Sequence, residues 1–176
     1  AKITTASQKQ AVEAYVKATA KRSERERMAD VKTISGVFTG AYAIHPLTGD
    51  KIPIWIGDYV LASYGTGAVM AVPCGDQRDW DFAKHFKIVI KNIFKDVDVS
   101  EGAYAEKDAV IANSDFLNDL KVNKASKLAI FELEKRGFGS GKINYRLRDA
   151  VFSRQRYWGE PFPIYYKNGL PQTIDT

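Results

Sequence analysis

Two stretches of the chain have apolar residues at the spacing of an amphipathic helix. In the first, Val12 and Val16 lie on one face among polar positions, which predicts a helix over about residues 8–28. In the second, apolar side chains recur every three or four positions and predict a helix over residues 123–136, with Gly137 placed to end it. Because each helix has one apolar face, both are expected to pack against a core.

Shorter stretches carry the pattern of β-strands. Residues 36–44 and 51–57 alternate on either side of a turn that contains proline and glycine, which predicts a β-hairpin. Residues 58–63 extend this strand region, and the β-branched run at residues 88–94 predicts one more strand. Short strands this close together indicate a small barrel or a strongly curved sheet.

A strand, a turn and a helix follow one another between residues 64 and 86. Gly65 leaves room for a backbone turn, and the apolar run at residues 68–72 predicts a short buried strand. A proline and a glycine end that strand. Asp76 then supplies a residue type favoured at helix N-caps, so residues 77–86 are predicted to be helical. The result is a corner at which a helix begins close to the end of a strand.

Two carboxylates lie at this corner. Asp76 and Asp79 are three residues apart, so they are neighbours on the first helical turn, where the helix dipole favours ionised carboxylates. Two anions at a glycine-lined corner suit a ligand that carries an ammonium group. The alternative is that Asp76 only caps the helix and Asp79 is only a first-turn charge, and the spacing alone leaves both open.

The composition changes in the second half of the chain. Residues 96–122 are polar and acidic, and we interpret them as a solvated connection. Residues 142–156 combine basic and aromatic side chains and include Arg154 and Arg156, a pattern that suits an RNA backbone and stacked bases. The alternative is a structural segment whose arginines pair with acids elsewhere.

The length and net charge of the chain limit its possible partners and its domain organisation. The chain has 176 residues and a net charge of +5, which permits contact with a polyanion but does not require it. We divide it into residues 1–144, which carry the predicted core, and residues 145–176, a linker or the start of another domain. The chain begins without methionine, which suggests a fragment excised from a longer protein.

Cysteine and histidine are scarce. Cys74 is the single cysteine and the chain has two histidines, so an internal disulfide is excluded and a zinc site is not indicated. This composition fits a reducing cytoplasm. The sequence contains neither an apolar run of membrane-spanning length nor a signal-peptide pattern, so no membrane partner is expected.

Four phrases of the sequence together resemble one protein family. They are His45-Pro-Leu-Thr-Gly49 with Ile52-Pro-Ile-Trp55, Tyr64-Gly-Thr-Gly-Ala-Val-Met-Ala-Val-Pro73, Asp76-Gln-Arg-Asp79 and Ser153-Arg-Gln-Arg-Tyr-Trp-Gly159. In this order they are similar to the connective-peptide editing domain of the leucyl-tRNA synthetase family of bacterial type. The resemblance covers about residues 36–165.

The resemblance implies an α+β fold in which peripheral helices surround a small closed β-barrel, as in the editing domains of valyl-, isoleucyl- and leucyl-tRNA synthetases. It also implies hydrolysis of tRNA that carries a wrong amino acid, because a hydrophobic synthetic pocket separates similar aliphatic side chains by only about 1 to 3 kcal/mol. Isoleucine, methionine and norvaline are the expected errors. Residues 1–144 would be the editing domain, and residues 145–176 the return strand toward the catalytic Rossmann domain.

The resemblance also assigns roles to particular residues. Asp79 matches the acid that holds the α-ammonium group of the substrate, and it is the expected catalytic residue. Met70 and Val72 match the strand that lines the amino-acid pocket, whereas Tyr64 and Asp76 match further substrate-binding positions. Water attack on the aminoacyl ester needs positioning and electrostatic stabilisation more than a strong nucleophile.

Cofactors and partners follow from the same resemblance. Editing would need no cofactor and no metal, and ATP with Mg²⁺ would serve only the synthetic site of the full-length enzyme. The partner would be the acceptor end of mischarged tRNA(Leu), with weak contacts from Arg154 and Arg156, and the protein would be a cytoplasmic monomer. The alternatives are a non-catalytic tRNA-contacting module that is inactive as this fragment, and a purely structural insertion.

The sequence departs from the family pattern in two places. The family's threonine-rich strand, Thr-Thr-Arg-Pro-Asp-Thr, is not matched by Ile3-Thr4-Thr5-Ala6, so one wall of the pocket is expected to be missing. Relatives usually carry histidine just before the position of Asp76, where Cys74-Gly75 stand here. We expect Cys74 to be a small turn residue rather than a nucleophile.

Overall fold

The computed structural model describes residues 2–22, 33–61, 66–143 and 163–174. The chain divides into two compact units, Ala1–Gly141 and Lys142–Thr176. In chain order the elements are α1 (Lys9–Thr19), β1 (Gly36–Ile44), β2 (Lys51–Gly57), α2 (Gln77–His85), α3 (Val122–Lys135), β3 (Ile164–Lys167) and β4 (Leu170–Thr173), with short 3-10 helices at Ala6–Gln8 and Asp115–Leu117. This mixture of helices and strands agrees with the predicted α+β class. Within the described ranges, no helix has the length and apolar character needed to cross a membrane.

Strands β1 and β2 form the predicted antiparallel hairpin. Gly36 pairs with Gly57 at its open end, and the register shifts near the middle of β1, around Gly40. The N–H group of Thr5 donates to the carbonyl of Thr39 at 3.0 Å. Gly40 has φ +79°, and a Cβ at this position would collide with the Thr5 side chain. Glycine is therefore required where the N-terminal segment meets β1.

Helix α2 packs on this hairpin through the buried ring of Phe82. A Cβ added at Gly36 would lie 2.6 Å from that ring, and one added at Gly57 would lie 3.3 Å from it. The paired glycines therefore leave the space that the ring occupies. The Phe82 ring also contacts Trp55 and Phe86, with centroid separations of 5.8 and 4.6 Å. These rings hold the second half of α2 against the hairpin.

Polar contacts attach helix α1 to the residue that follows β2. The N–H group of Asp58 donates to the Tyr15 hydroxyl at 3.0 Å, and the buried Asp58 carboxylate pairs with Arg22 at 2.6 Å. Helix α1 begins within one residue of the predicted start but ends at Thr19, and residues 20–22 are not helical, so the predicted continuation of the helix is wrong over those residues. Its predicted end at residue 28 lies outside the described residues.

A second core is formed by the turn before α2 and by the segments that follow this helix. Its buried members are Cys74, Phe94, Val99, Ala109, Ile111 and Ala125. Three of them belong to residues 96–122, so the interpretation of that stretch as a solvated connection is wrong. Its acidic side chains are exposed as expected, but single apolar residues between them turn inward, and a count of charges does not detect this.

Helix α3 confirms the second helix prediction to within one residue at each end. Gly137 follows it with φ +72°. The N–H group of Phe138 donates to the carbonyl of Leu133 at 2.9 Å, and that of Gly137 donates to Glu134 at 3.0 Å. These two bonds form a Schellman motif, which satisfies carbonyls that the last helical turn leaves free.

Two other predicted strands are wrong in the part of the chain that can be compared. Residues 58–60 turn directly after β2, and residues 88–93 are irregular. In the second case the side chain of Asn92 accepts from the N–H group of Phe94 and donates to the carbonyl of Val97. Among the described residues the run pairs with another segment just at its end, where Phe94 forms an isolated bridge with Ile111. The described residues do not form a closed barrel, and the barrel stays a prediction.

The second unit contains a hairpin that the sequence analysis did not predict. Strands β3 and β4 pair in antiparallel register from Ile164 with Thr173 to Lys167 with Leu170. Asn168 and Gly169 join them, both at positive φ, as a two-residue type I′ turn requires. The interpretation of residues 145–176 as a return strand stays a prediction.

Candidate functional site

The stretch before the corner is exposed and irregular rather than a buried strand. Residues 68–72 pair with no strand in the described part of the chain, so the strand prediction is wrong there. Val69, Met70 and Val72 expose 49, 55 and 43% of their surface. The carbonyl of Val72 instead accepts from the N–H groups three and four positions later, each at 2.9 Å. The backbone at this point therefore forms the hydrogen-bonded turn that leads into α2.

Cys74 lies in that turn and is 2% exposed. Its carbonyl accepts from the N–H group of Tyr104 at 2.9 Å, which fixes the turn to the second core. The prediction that Cys74 is a turn residue is confirmed. Burial among apolar side chains also keeps its thiol away from solvent and from a substrate.

Asp76 is the N-cap of α2, as predicted. Its backbone is extended, with φ −130° and ψ 126°, and its Oδ1 accepts from the N–H groups of Arg78 at 2.9 Å and Asp79 at 3.2 Å. These are two of the donors that the first turn of a helix leaves without a backbone partner. The cap therefore fixes the backbone that carries Asp79.

The carboxylate of Asp79 is held by two donors from different segments. Its Oδ1 accepts from the hydroxyl of Tyr59 at 2.7 Å, and its Oδ2 accepts from the N–H group of Val72 at 2.8 Å. Tyr59 follows β2, whereas Val72 precedes the corner. Asp79 on α2 thus connects to the residue that follows β2 and to the exposed stretch before the corner. The alternative in which Asp79 is only a first-turn charge does not account for these contacts.

The hydroxyl of Tyr59 is fixed as a donor in this arrangement. Burial raises its pKa well above the usual range for tyrosine, and the adjacent carboxylate of Asp79 raises it further. Tyr59 therefore stays protonated at neutral pH and donates to Asp79. Sequence reasoning did not single out Tyr59, because the contact joins residues twenty positions apart in the chain and no local pattern marks it.

The arrangement can bind a ligand with two kinds of group. Each carboxylate oxygen of Asp79 uses one hydrogen bond of the two or so that it can accept, so further acceptor positions remain for a cation. The exposed apolar side chains of Met70 and Val72 stand in the stretch whose backbone Asp79 binds. An ammonium group joined to an aliphatic chain matches this pair of features.

Three predicted site residues cannot be placed. Tyr64, Arg154 and Arg156 lie outside the described residues. Within the described ranges, no group of three or more histidine, cysteine, aspartate and glutamate side chains is arranged to hold a metal ion. The corner residues that the structure does bring together are Asp76 and Asp79, with Met70 and Val72 in the stretch that precedes them.

Comparison with known proteins identifies a family that the chain resembles. Residues 1–134 match the family model described as leucyl-tRNA synthetase, editing domain. The match contains the β1–β2 hairpin, the corner and every buried residue of the second core.

The similar curated proteins are leucine–tRNA ligases. The chain is 71% identical to that of Christiangramia forsetii over 175 residues, which are 99% of the chain and 18% of the relative. It is 71% identical to that of Flavobacterium johnsoniae over 182 residues, 100% of the chain and 19% of the relative. It is 50% identical to that of Bacteroides thetaiotaomicron over 185 residues, 99% of the chain and 20% of the relative. The chain spans about a fifth of the length of these relatives. Together with the family match, this shows that the chain belongs to the family of leucyl-tRNA synthetase editing domains.

Proposed function

We propose that this chain is the proofreading segment of a leucine–tRNA ligase and hydrolyses tRNA(Leu) that carries a wrong amino acid. The observation that carries the proposal is the Asp79 carboxylate, which two donors hold at the start of α2 beside an exposed apolar stretch. A mischarged aminoacyl group presents the matching chemistry, an α-ammonium group on an aliphatic amino acid.

The need for such an activity follows from the limits of hydrophobic selection. Isoleucine, methionine and norvaline differ from leucine by shape or by single atoms, and a pocket distinguishes such side chains by only about 1 to 3 kcal/mol. Errors are therefore attached to tRNA(Leu) and must be removed after transfer. A separate hydrolytic site provides the second selection.

The roles of the corner residues follow from their contacts. Asp79 binds the α-ammonium group. Asp76 positions Asp79, because it caps the helix and accepts a hydrogen bond from the N–H group of Asp79. Met70 and Val72 contact the aliphatic side chain, and Tyr64 contributes a further pocket position. Water then attacks the ester carbonyl, the bond to the ribose oxygen breaks, and the amino acid leaves as its carboxylate while the tRNA hydroxyl is restored.

The site is completed by the rest of the enzyme. We propose that the threonine-rich strand of the ligase supplies the remaining pocket wall and that the short strands close into a barrel with it. Strand β2 pairs only with β1 among the described residues, so it offers a free edge for such pairing. Editing then needs no cofactor, whereas ATP with Mg²⁺ serves the synthetic site of a cytoplasmic, monomeric ligase.

The proposal is tested by release of isoleucine from isoleucyl-tRNA(Leu). We compare three proteins: the chain alone, the chain extended N-terminally through the threonine-rich strand of a relative, and the extended chain with Asp79→Ala. Extension should increase hydrolysis, and Asp79→Ala should then lower it about tenfold or more, as expected for loss of a hydrogen bond to a charged group. Hydrolysis by the extended chain that is unchanged in Asp79→Ala would refute the role of Asp79.

Asp81→Ala is the matched control for this experiment. Asp81 lies on the same helix, but its Oδ1 accepts from the side chain of Gln77 rather than from the corner. It should leave the hydrolysis rate unchanged.

A non-catalytic tRNA-contacting role is the second candidate, and the basic and aromatic composition of residues 142–156 favours it. Reversing the charge of Arg154 and Arg156 should then weaken tRNA affinity and reduce its dependence on salt. An unchanged affinity and salt slope would exclude that role.

A further inference from the structure

We infer that Tyr59 is a positioning residue for editing, because its hydroxyl fixes the carboxylate of Asp79 in the orientation that receives the α-ammonium group of the substrate. This inference rests on the proposed function and adds to it a residue that follows the hairpin directly. Tyr59 follows β2, so the hairpin itself contributes to the geometry of the ammonium site.

Packing contacts fix the Tyr59 ring in addition to the hydrogen bond from its hydroxyl to Asp79. It packs against the ring of Phe82 with a centroid separation of 5.4 Å. It also approaches Gly57 so closely that an added Cβ would lie 3.0 Å from its Cε1 atom. A larger residue at position 57 would press on the ring, so glycine at this position lets the hydroxyl reach the carboxylate.

A second donor, the N–H group of Val72, helps to orient the Asp79 carboxylate. The Tyr59 hydroxyl binds Oδ1 at 2.7 Å, while the Val72 N–H group binds Oδ2 at 2.8 Å. Because the two donors act on different oxygens, they fix the plane of the carboxylate as well as its position. A carboxylate that is already oriented loses less conformational freedom when it binds a cation, which favours affinity.

The Tyr59 hydroxyl acts as a donor throughout the neutral range. Its elevated pKa, caused first by burial and then by Asp79, keeps the proton in place. A neutral hydroxyl also leaves the negative charge on Asp79, where the ammonium group needs it. Tyr59 thus orients the anion without competing for the cation.

Tyr59→Phe removes the hydroxyl and keeps the ring packed against Phe82. The matched control is Tyr104→Phe, because the Tyr104 hydroxyl also donates to an aspartate, Asp108, at 2.7 Å. That pair has no contact with Asp79 in the hydrogen bonds of the described residues. The comparison therefore separates loss of a tyrosine–aspartate bond in general from loss of the bond at the corner.

The experiment uses a full-length leucine–tRNA ligase that carries this chain, and it measures binding of two non-hydrolysable ligands. The first is 3′-amino-3′-deoxyadenosine linked to norvaline through an amide, and the second is the same compound without the α-amino group. Tyr59→Phe should weaken binding of the first ligand about tenfold, the size expected for loosening one charge-assisted contact. It should leave binding of the second unchanged, as should Tyr104→Phe for both.

The possible results separate the two proposals. Equal weakening of both ligands in Tyr59→Phe would indicate general damage to the pocket and would overturn the inference, as would unchanged binding of the amino ligand. Asp79→Ala distinguishes the cases. If Asp79→Ala weakens the amino ligand but Tyr59→Phe does not, the proposed function stands and the role of Tyr59 is wrong. If Asp79→Ala leaves that ligand unaffected, the proposed roles of both Asp79 and Tyr59 are refuted.

Discussion

The carboxylate of Asp79 accepts a hydrogen bond from the backbone N–H group of Val72 at 2.8 Å, seven residues earlier in the chain. This bond closes the corner, because it fastens the exposed stretch that precedes the turn to the first turn of α2. Asp79→Ala should therefore release Val72, and amide hydrogen exchange at Val72 should become about tenfold faster or more. In Asp81→Ala, exchange at Val72 should stay as in the wild type. Equal exchange in the wild type and Asp79→Ala would show that this bond does not hold the stretch.

The cap at Asp76 makes a separable contribution to stability. Asp76→Ala removes the acceptor of two N–H groups and should lower the free energy of unfolding by about 1 kcal/mol. Asp76→Asn retains a capping oxygen and should cost only a few tenths of that, about 0.3 kcal/mol. Urea unfolding of the three proteins measures the difference. Equal losses in Asp76→Ala and Asp76→Asn would contradict a capping role.

The glycine pair under Phe82 predicts a steric effect. Gly36→Ala places a Cβ 2.6 Å from the Phe82 ring, so the protein should lose about 1 to 3 kcal/mol of unfolding free energy. Gly139→Ala is the control, because an added Cβ there meets no atom within 4 Å. Adding Phe82→Leu to Gly36→Ala should recover part of the loss, and additive losses in a double-mutant cycle would rule out the steric explanation.

Alkaline pH should weaken the fold through Tyr59. Its pKa is raised in the folded protein relative to the unfolded value of about 10. The stability that protonated Tyr59 contributes to the fold is therefore complete below a pH of about 10. It is lost progressively as the pH rises further, because the unfolded chain releases the tyrosine proton first. Tyr15 and Tyr104 also have raised pKa values, so the wild type and Tyr59→Phe both lose stability at high pH. The loss should be less steep in Tyr59→Phe, as measured by unfolding free energy against pH, and parallel curves would contradict the prediction.

Features set by neighbouring residues could be predicted from the sequence. The hairpin of β1 and β2 follows from alternation around a turn, and both the Asp76 cap and the Gly137 helix end follow from residue types with a local conformational preference. The turn at Asn168-Gly169 also carried a local hairpin signal. The composition of residues 145–176 and the family resemblance pointed instead to a linker or return strand, so this hairpin was not predicted.

Features set by distant contacts could not be predicted. Residues 68–72 have a strand-like sequence, yet a strand needs a partner, and in the described residues Asp79 binds the Val72 N–H group instead. Likewise, the bond between Tyr59 and Asp79 depends on where α2 packs on the hairpin. The sequence therefore predicted Asp79 as a candidate site residue without predicting what orients it.

The proposed role of the corner in selecting mischarged tRNA is tested most directly by the ratio of two hydrolysis rates. A full-length leucine–tRNA ligase that carries this chain is given isoleucyl-tRNA(Leu) and leucyl-tRNA(Leu) under identical conditions, with its leucylation rate as a check on folding. We predict faster hydrolysis of the isoleucyl form, and loss of that hydrolysis in Asp79→Ala with leucylation unchanged. Equal hydrolysis of both forms, or full hydrolysis of the isoleucyl form in Asp79→Ala, would contradict the account.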